Sequence, residues 1–197
     1  MVGRIRNRDQ LLNGARSAAG RARRAAALDL VEQALAAVEP GSATLAGLRS
    51  FGDPPRTRRG CRLFAFGKAA RGMAEAALTE WKIEDGVVLG FESGALGPLE
   101  LLQGAHPLPH PDAALHGQRV LELAGTLGNE DVALVLISGG GSALLELPAP
   151  GLTLNDLQQT SAQLLASGAT IEEVNAVRIC LSQLKGGRLA RALAPAR

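Results

Sequence analysis

The stretch DVALVLISGGGSALLELP, residues 131–148, decides the fold class because it joins an uninterrupted apolar run to a glycine-rich loop. The run Val132–Ile137 does not alternate between apolar and polar residues. Strands that are buried on both faces read as continuous apolar runs, whereas half-exposed strands alternate. The run is therefore predicted to be a central strand of a parallel sheet, with the loop 138–142 at its carboxyl end.

Short apolar segments and amphipathic segments alternate along the rest of the chain. The further predicted strands are CRLFAF at 61–66, GVVLGF at 86–91 and LELLQGA at 99–105. Helical spacing of apolar residues predicts helices at 21–38, 68–81, 112–127, 153–168, 170–181 and 184–193. Residues 41–60 carry glycines, prolines and a basic run, and are predicted to be a loop. Strands alternating with helices predict an α/β fold: a three-layer, Rossmann-like domain in which helices flank a mostly parallel sheet.

Length and composition limit the functional classes. A chain of 197 residues with 46% hydrophobic residues can bury a full core. The net charge of +2 is too small to indicate a nucleic-acid surface. No apolar stretch approaches the roughly 20 residues that cross a bilayer, so no membrane partner is expected and the protein is expected in the cytoplasm. Cys61 and Cys180 are far apart in sequence, which disfavours a disulfide framework or a zinc site.

Positive charge is concentrated at the start of the chain. The arginines of this segment are Arg4, Arg6, Arg8, Arg16, Arg21, Arg23 and Arg24. An arginine-rich, acid-poor leader can be an organellar transit peptide, but arginine and alanine are frequent along the whole chain, which favours a plain basic helix. Residues 1–24 are therefore predicted to be a basic segment that could be flexible, and residues 25–197 to be the Rossmann-like domain.

The loop 138–142 has the composition of an anion-binding turn. In an open parallel sheet, ligands bind outside the carboxyl ends of the strands, near a change in strand order. Gly139, Gly140 and Gly141 allow the backbone to approach an anion, while Ser138 and Ser142 add hydroxyl donors. The loop is predicted to hold an oxyanion, most plausibly a phosphate group.

Other interpretations of the same loop remain open. It could be a tight turn without a ligand, although one glycine would suffice for that. A serine nucleophile at Ser142 is disfavoured because the closing glycine of a G-x-S-x-G elbow is missing. A P-loop ATPase is disfavoured because the loop lacks the Walker A lysine.

Lys68 directly follows the predicted strand 61–66. A cation at the start of a helix opposes the helix dipole, so its placement there suggests a function. We expect its ammonium to reach an anion held by the loop 138–142. The alternative is a solvated side chain at a helix start.

Further polar residues cluster near the end of the chain. The segment IEEVNAVRICLSQLKGGRLA contains Asn175, Arg178, Ser182, Lys185 and Arg188. Residues three and four apart share one side of a helix, so the first three are expected to project together. Arg178 could clamp a carboxylate or phosphate, and the turn at Lys185 could form another anion loop. An ordinary exposed basic helix is the alternative.

His106 lies in the proline-rich stretch HPLPHPD. The prolines predict an extended connection, and His106 and His110 are not placed on one helix face, so a metal site is disfavoured. His106 could bind a substrate or anchor the loop.

With these motifs in hand, the sequence resembles the amino-terminal domain of the glycerate 2-kinases of the MOFRL-associated type. The matching pieces are FGKAARGMAEAA, the AHPLP segment, LISGGGSALLELPAPGLTLNDL and LLASGATIEEVNAVRICLSQLKGGRLA. They occur in the family's order and cover nearly the whole chain from about residue 25.

The resemblance implies an ATP-dependent, Mg²⁺-requiring transfer of a phosphoryl group to D-glycerate, giving 2-phosphoglycerate. It also implies two α/β domains with the active site in the cleft between them. Lys68 matches the family's active-site lysine, and residues 138–142 match its glycine-rich loop. The residues that match its N-x-x-R-x-x-x-S-x-x-K-G-G-R element are Asn175, Arg178, Ser182, Lys185 and Arg188.

Three departures from the family pattern stand out. His110 replaces an aspartate, for which Asp112 could substitute only if the loop shifts by two residues. Ile179 and Cys180 replace a basic residue and a histidine. The carboxy-terminal MOFRL domain is absent from the 197 residues, so the chain is expected to be a fragment of the two-domain enzyme.

The rival function is a non-catalytic domain that binds a phosphorylated metabolite with the same loops. A hydrolase that uses Ser142 is a third candidate. The general base and the metal ligands are left unassigned, and a homo-oligomer is left open.

Overall fold

The computed structural model describes residues 3–52, 60–105, 110–194 and 196. The strands are β1 (Cys61–Phe66), β2 (Ile83–Gly90), β3 (Gly94–Leu96), β4 (Leu99–Gln103) and β5 (Val132–Ile137). The helices are α1 (Arg8–Asn13), α2 (Ala18–Ala37), α3 (Pro40–Ser50), α4 (Ala70–Glu80), α5 (Ala113–Gly125), α6 (Gly141–Leu144), α7 (Leu154–Ala166), α8 (Ile171–Cys180) and α9 (Arg188–Leu193). The predicted α/β class, with a mostly parallel sheet flanked by helices, is confirmed.

The strand order in the sheet is β3-β4-β2-β1-β5. All neighbouring strands are parallel except β3, which pairs antiparallel with β4. The prediction that β5 is central was wrong, because in the part of the chain that the structure describes β5 pairs with β1 alone. Its apolar run reflects burial above and below the sheet: Val132 and Leu136 belong to one core, while Val135 packs against the other.

Two hydrophobic cores lie on opposite faces of the sheet. On one face, Leu48 of α3 and Ala74 of α4 pack with Leu63 and Val88 of the strands. On the other face, Val120 of α5 and Leu193 of α9 pack with strand residues that include Phe64. These helix layers fix the sheet from both sides, so its carboxyl edge presents loops on a rigid base.

Helix α3 corrects the prediction that residues 41–60 are a loop. Pro40 is the first residue of α3, a position where the missing N–H of proline costs nothing. The carboxylate of Glu39 caps the helix by accepting hydrogen bonds from the amides of Gly41, at 3.1 Å, and Ser42, at 2.6 Å. Residues 53–59 lie outside the described residues.

The basic start of the chain forms two packed helices. Helix α2 runs without a break across residue 24, and α1 folds back on it. Arg8 pairs with Asp29 at 2.5 Å, and Glu32 accepts hydrogen bonds from the amides of Arg4 and Ile5. The domain division at residue 24 stays a prediction.

Within the described ranges no helix is long and apolar enough to cross a membrane.

Candidate functional site

The carboxyl ends of β1 and β5 lie side by side at the point where the strand order reverses. From β1 the chain passes through α4 to β2 on one side, and through α5 it returns to β5 on the other side. Ligands of open α/β sheets bind at such a point. The turn Gly67–Lys68 and the loop 138–142 therefore meet, as the sequence predicted.

Close backbone contact holds these two loops together. Gly67 has φ +123°, and a Cβ atom there would lie 2.5 Å from the carbonyl oxygen of Ser138. The amide of Lys68 donates to the carbonyl of Gly139 at 2.9 Å, and the amide of Ala69 donates to the hydroxyl of Ser138 at 3.0 Å. Only glycine fits at position 67, so this residue sets the distance between the loops.

Part of the predicted amide nest is available to a ligand and part is not. The amide of Ser138 donates to Phe66 O at 2.9 Å, and that of Gly141 donates to Ser138 O at 3.2 Å. The amides of Gly139, Gly140 and Ser142 donate to no backbone or side-chain acceptor among the described residues. Unpaired N–H groups in a tight turn form a concave anion site. The loop can therefore present three amides to an oxyanion.

Gly140 gives the loop its shape. It adopts φ +86°, a left-handed conformation that glycine reaches without strain, and it precedes the short helix α6. Beside it, no atom lies within 4 Å of a Cβ position on Gly139. The loop surface at Gly139 is thus open to an approaching ligand.

Lys68 is exposed at the end of β1. It lines a small cleft of about 60 Å³ together with Arg71, Phe91 and Glu92. Arg71 is already paired with Glu75 at 2.8 Å and with Glu92. The ammonium of Lys68 has no carboxylate within ion-pair distance among the described residues, so it is the cation of this cleft that a ligand can use.

Arg178 places a cation at the loop. It is half-buried on α8, and its guanidinium donates to the carbonyl of Ser142 at 3.4 Å. Asn175 is exposed about one turn earlier on the same helix. Ser182 does not project with them, because α8 ends at Cys180 and Ser182 is buried, where its hydroxyl accepts from the amide of Leu184 at 3.2 Å.

The structure directs Lys185 to an internal partner. Its ammonium lies 2.5 Å from a carboxylate oxygen of Glu146 and 3.1 Å from the carbonyl of Leu145. Glu146 is only 3% exposed, and its other oxygen accepts from the amide of Leu147 at 3.1 Å. Burial lowers the pKa of Lys185 below its ordinary value, and the negative charge of Glu146 opposes that shift. Sequence reasoning missed Glu146; the signal was one charge inside the apolar run LLELP.

Arg188 is likewise engaged within the chain. Its guanidinium donates to the carbonyl of Ile179 at 2.5 Å and to that of Lys185 at 3.2 Å. The first contact satisfies a carbonyl group in the last turn of α8, and the second satisfies one in the turn that follows the helix. Arg188 therefore closes the turn that carries Lys185.

The remaining candidate side chains take no part in the contacts between the loop 138–142, Lys68 and Arg178, or lie outside the described residues. His106 lies outside the described residues. The amide of Asp112 donates to Nδ1 of His110 at 3.2 Å, and the ring of His110 stacks on that of His116 at 6.0 Å between centroids. Ser142 is exposed, and no described group hydrogen-bonds its hydroxyl to activate it as a nucleophile. In the same ranges no group of three His, Cys, Asp or Glu residues could hold a metal ion.

Comparison with known proteins gives consistent relatives. The family model described as "Domain of unknown function (DUF4147)" matches residues 26–197. A D-glycerate 2-kinase of Thermotoga maritima is 40% identical over 176 residues, which are 87% of this chain and 41% of that protein. A glycerate 2-kinase of Pyrococcus horikoshii is 36% identical over 173 residues, 83% of this chain and 39% of that protein.

A solved structure agrees with these matches. The crystal structure of a glycerate kinase from Thermotoga maritima superposes with a TM-score of 0.79 at 39% identity, covering 87% of this chain and 41% of that chain. The chain thus spans about two-fifths of the length of the relatives it matches.

Proposed function

The chain belongs to the DUF4147 family, and we propose that it forms the amino-terminal part of a kinase that phosphorylates D-glycerate to 2-phosphoglycerate with ATP. The observation that carries this proposal is the contact of the loop 138–142 with the backbone of Lys68 and with the guanidinium of Arg178 at the strand-order reversal. Phosphoryl transfer requires mainly alignment of the reactants and neutralisation of charge. An amide nest that has the guanidinium of Arg178 against it and lies next to the strand end that carries Lys68 suits that requirement.

The groups of this chain have distinct roles in the proposal. The amides of Gly139, Gly140 and Ser142 hold oxygens of a phosphate group or of the glycerate carboxylate. Lys68 stabilises negative charge on the phosphoryl group in transfer, and Arg178 orients an anionic group. Ser138 keeps the two loops in contact.

ATP supplies the phosphoryl group, and its phosphate oxygens fit the unpaired amides of the loop. Mg²⁺ is part of the proposal through the family resemblance, but the described residues offer no carboxylate cluster for it. We therefore assign Mg²⁺ no ligand in this chain and derive no step from it. A cytoplasmic location also belongs to this proposal.

A coupled ADP-release assay with D-glycerate tests the proposal. It is run on the 197-residue chain and on a chimera in which the Thermotoga D-glycerate 2-kinase sequence beyond the matched region follows residue 197. Lys68→Ala is expected to abolish D-glycerate-dependent ADP release by the chimera. Lys82→Ala is the matched control, because Lys82 is an exposed lysine paired with Glu84 at 2.6 Å. A folded chimera that releases no ADP in response to D-glycerate rejects the kinase.

A non-catalytic domain that binds a phosphorylated metabolite is the second candidate. The unpaired amides of the loop 138–142 and the guanidinium of Arg178 would serve such binding without a transfer step. The Lys68→Ala variant separates the two functions. A kinase loses turnover while it keeps much of its ligand affinity, whereas a binding domain loses affinity.

A further inference from the structure

Helix α8 carries Arg178 but has little apolar anchoring of its own. Along α8, which the structure describes in full, Val174 is the one buried residue. Its neighbour in the fold is α7, itself a mostly exposed helix in which Leu157 is buried. The hydrophobic effect of one buried valine is small, so polar contacts must contribute much of what fixes α8 in the domain.

Those polar contacts join the segment after the glycine loop to the segment after α8. The amide of Ala149 donates to Leu181 O at 2.8 Å, and the amide of Gln183 donates to Leu147 O at 2.8 Å. Water competes for backbone hydrogen bonds between loop segments unless buried side chains exclude it. The Glu146–Lys185 pair lies next to these bonds in sequence and is itself largely buried, as are Leu147 and Leu184.

Charge makes the carboxylate of Glu146 decisive at this position. Burial lowers the pKa of Lys185 and the positive charge of Arg178 adds to that effect, whereas Glu146 opposes it. Glu146 is the carboxylate that pairs with Lys185, and its removal would leave a partly buried ammonium without that negative charge. Removing one partner of a buried ion pair is far more costly than the pair's own net contribution.

We propose that Glu146 is a positioning residue: through its buried contact with Lys185 it holds α8 so that the guanidinium of Arg178 stays against the loop 138–142. The proposal rests on the anion site described above. It predicts that Arg178 contributes to anion binding only while Glu146 keeps its charge.

A double-mutant cycle tests this coupling with inorganic pyrophosphate as the probe, by calorimetry on the 197-residue chain. In the parent protein, Arg178→Ala is expected to weaken binding about tenfold, as expected for loss of a charge-assisted hydrogen bond. In the Glu146→Gln background the same substitution is expected to change binding by less than about twofold. Equal losses in both backgrounds would overturn the proposal.

Asp131→Asn is the matched control. Asp131 is also a buried carboxylate, with its oxygen accepting from the amide of Gly128 at 2.7 Å, but it lies at the other end of β5. Arg178→Ala should weaken binding by the same factor with and without this control substitution. Coupling to Asp131 as strong as that to Glu146 would show a merely general loss of stability and would overturn the proposal.

Hydrogen exchange gives a second readout that needs no ligand. Relative to the amides of β1, those of α8 should exchange faster in Glu146→Gln and in Glu146→Asp, but not in Asp131→Asn. Unchanged α8 exchange in a folded Glu146 variant overturns the positioning role even if pyrophosphate does not bind. Failure of the parent protein to bind pyrophosphate, with faster α8 exchange in the variants, instead rejects the anion site and leaves the structural coupling standing.

Discussion

Gly67 and Ser138 are in contact where β1 and β5 end, and the backbone of Ser138 leaves no room for a side chain on residue 67. A Cβ atom on Gly67 would lie 2.5 Å from Ser138 O, and φ at Gly67 is +123°. Gly67→Ala is therefore expected to lower the free energy of unfolding by about 1–3 kcal/mol, through backbone strain and steric overlap. Urea denaturation measures this change.

Gly72→Ala is the matched control for that substitution. Gly72 lies inside α4, and no atom is within 4 Å of its Cβ position. Alanine there should raise the stability by up to about 1 kcal/mol, because it has the higher helix propensity. Equal effects of the two substitutions would contradict the close approach of the loops.

Ser138 and Ser142 should respond differently to alanine. Ser138→Ala removes the acceptor of the Ala69 amide and is expected to cost about 1–3 kcal/mol of stability. Ser142→Ala should change stability by less than about 0.5 kcal/mol, since the residue is exposed. Thermal unfolding of both variants checks the difference, and a larger cost at Ser142 would contradict the assigned contacts.

His116 should make the protein less stable in mild acid. Burial is the main cause that lowers its pKa below 6.5; His110 adds to this effect, while Asp112 and Glu100 oppose it. The unfolded chain then binds the proton more tightly, so the free energy of unfolding falls as the pH drops below about 6.5. NMR titration of the imidazole and urea denaturation at several pH values measure both quantities. His116→Asn should remove this part of the pH dependence; an unchanged profile would contradict the assignment.

The two cysteines should differ in reactivity. Burial raises the pKa of the Cys61 thiol to about 11, whereas Cys180 is exposed. A thiol-specific chromogenic reagent is expected to label Cys180 rapidly and Cys61 only after unfolding, because the thiolate is the reactive form. Rapid labelling of Cys61 in the folded Cys180→Ser variant would contradict the packing of β1.

Local signals predicted much of the fold. Apolar runs predicted β1 and β5 with correct bounds. The glycines that follow each strand predicted that the two loops lie at the same edge of the sheet. Helix α3 was not predicted because the glycines and prolines of this region are typical of a loop, although proline also begins helices when a carboxylate such as Glu39 caps the first turn. The lateral position of β5 could not be read from its sequence, since hydrophobicity reports burial above and below a sheet and not the number of neighbouring strands.

The site was predictable in kind and less so in detail. The residue types at Lys68, Arg178 and the glycine loop predict anion-binding chemistry, and the structure brings the loop into contact with Arg178 and with the backbone of Lys68; anion binding itself stays a prediction. What the sequence could not show was that Lys185 and Arg188 are directed inward, because their partners, Glu146 and the carbonyl of Ile179, are brought to them only by folding.

The most direct test of the anion site is the response of the loop amides to pyrophosphate, followed in ¹⁵N NMR spectra of the 197-residue chain. Saturable chemical-shift changes are predicted for the amides of Gly139, Gly140 and Ser142. Arg178→Ala should weaken the affinity that these changes report, and the amides of Gly72 and Gly125 in the helices should not shift. Loop amides that stay unmoved while pyrophosphate binds elsewhere on the protein would contradict the site.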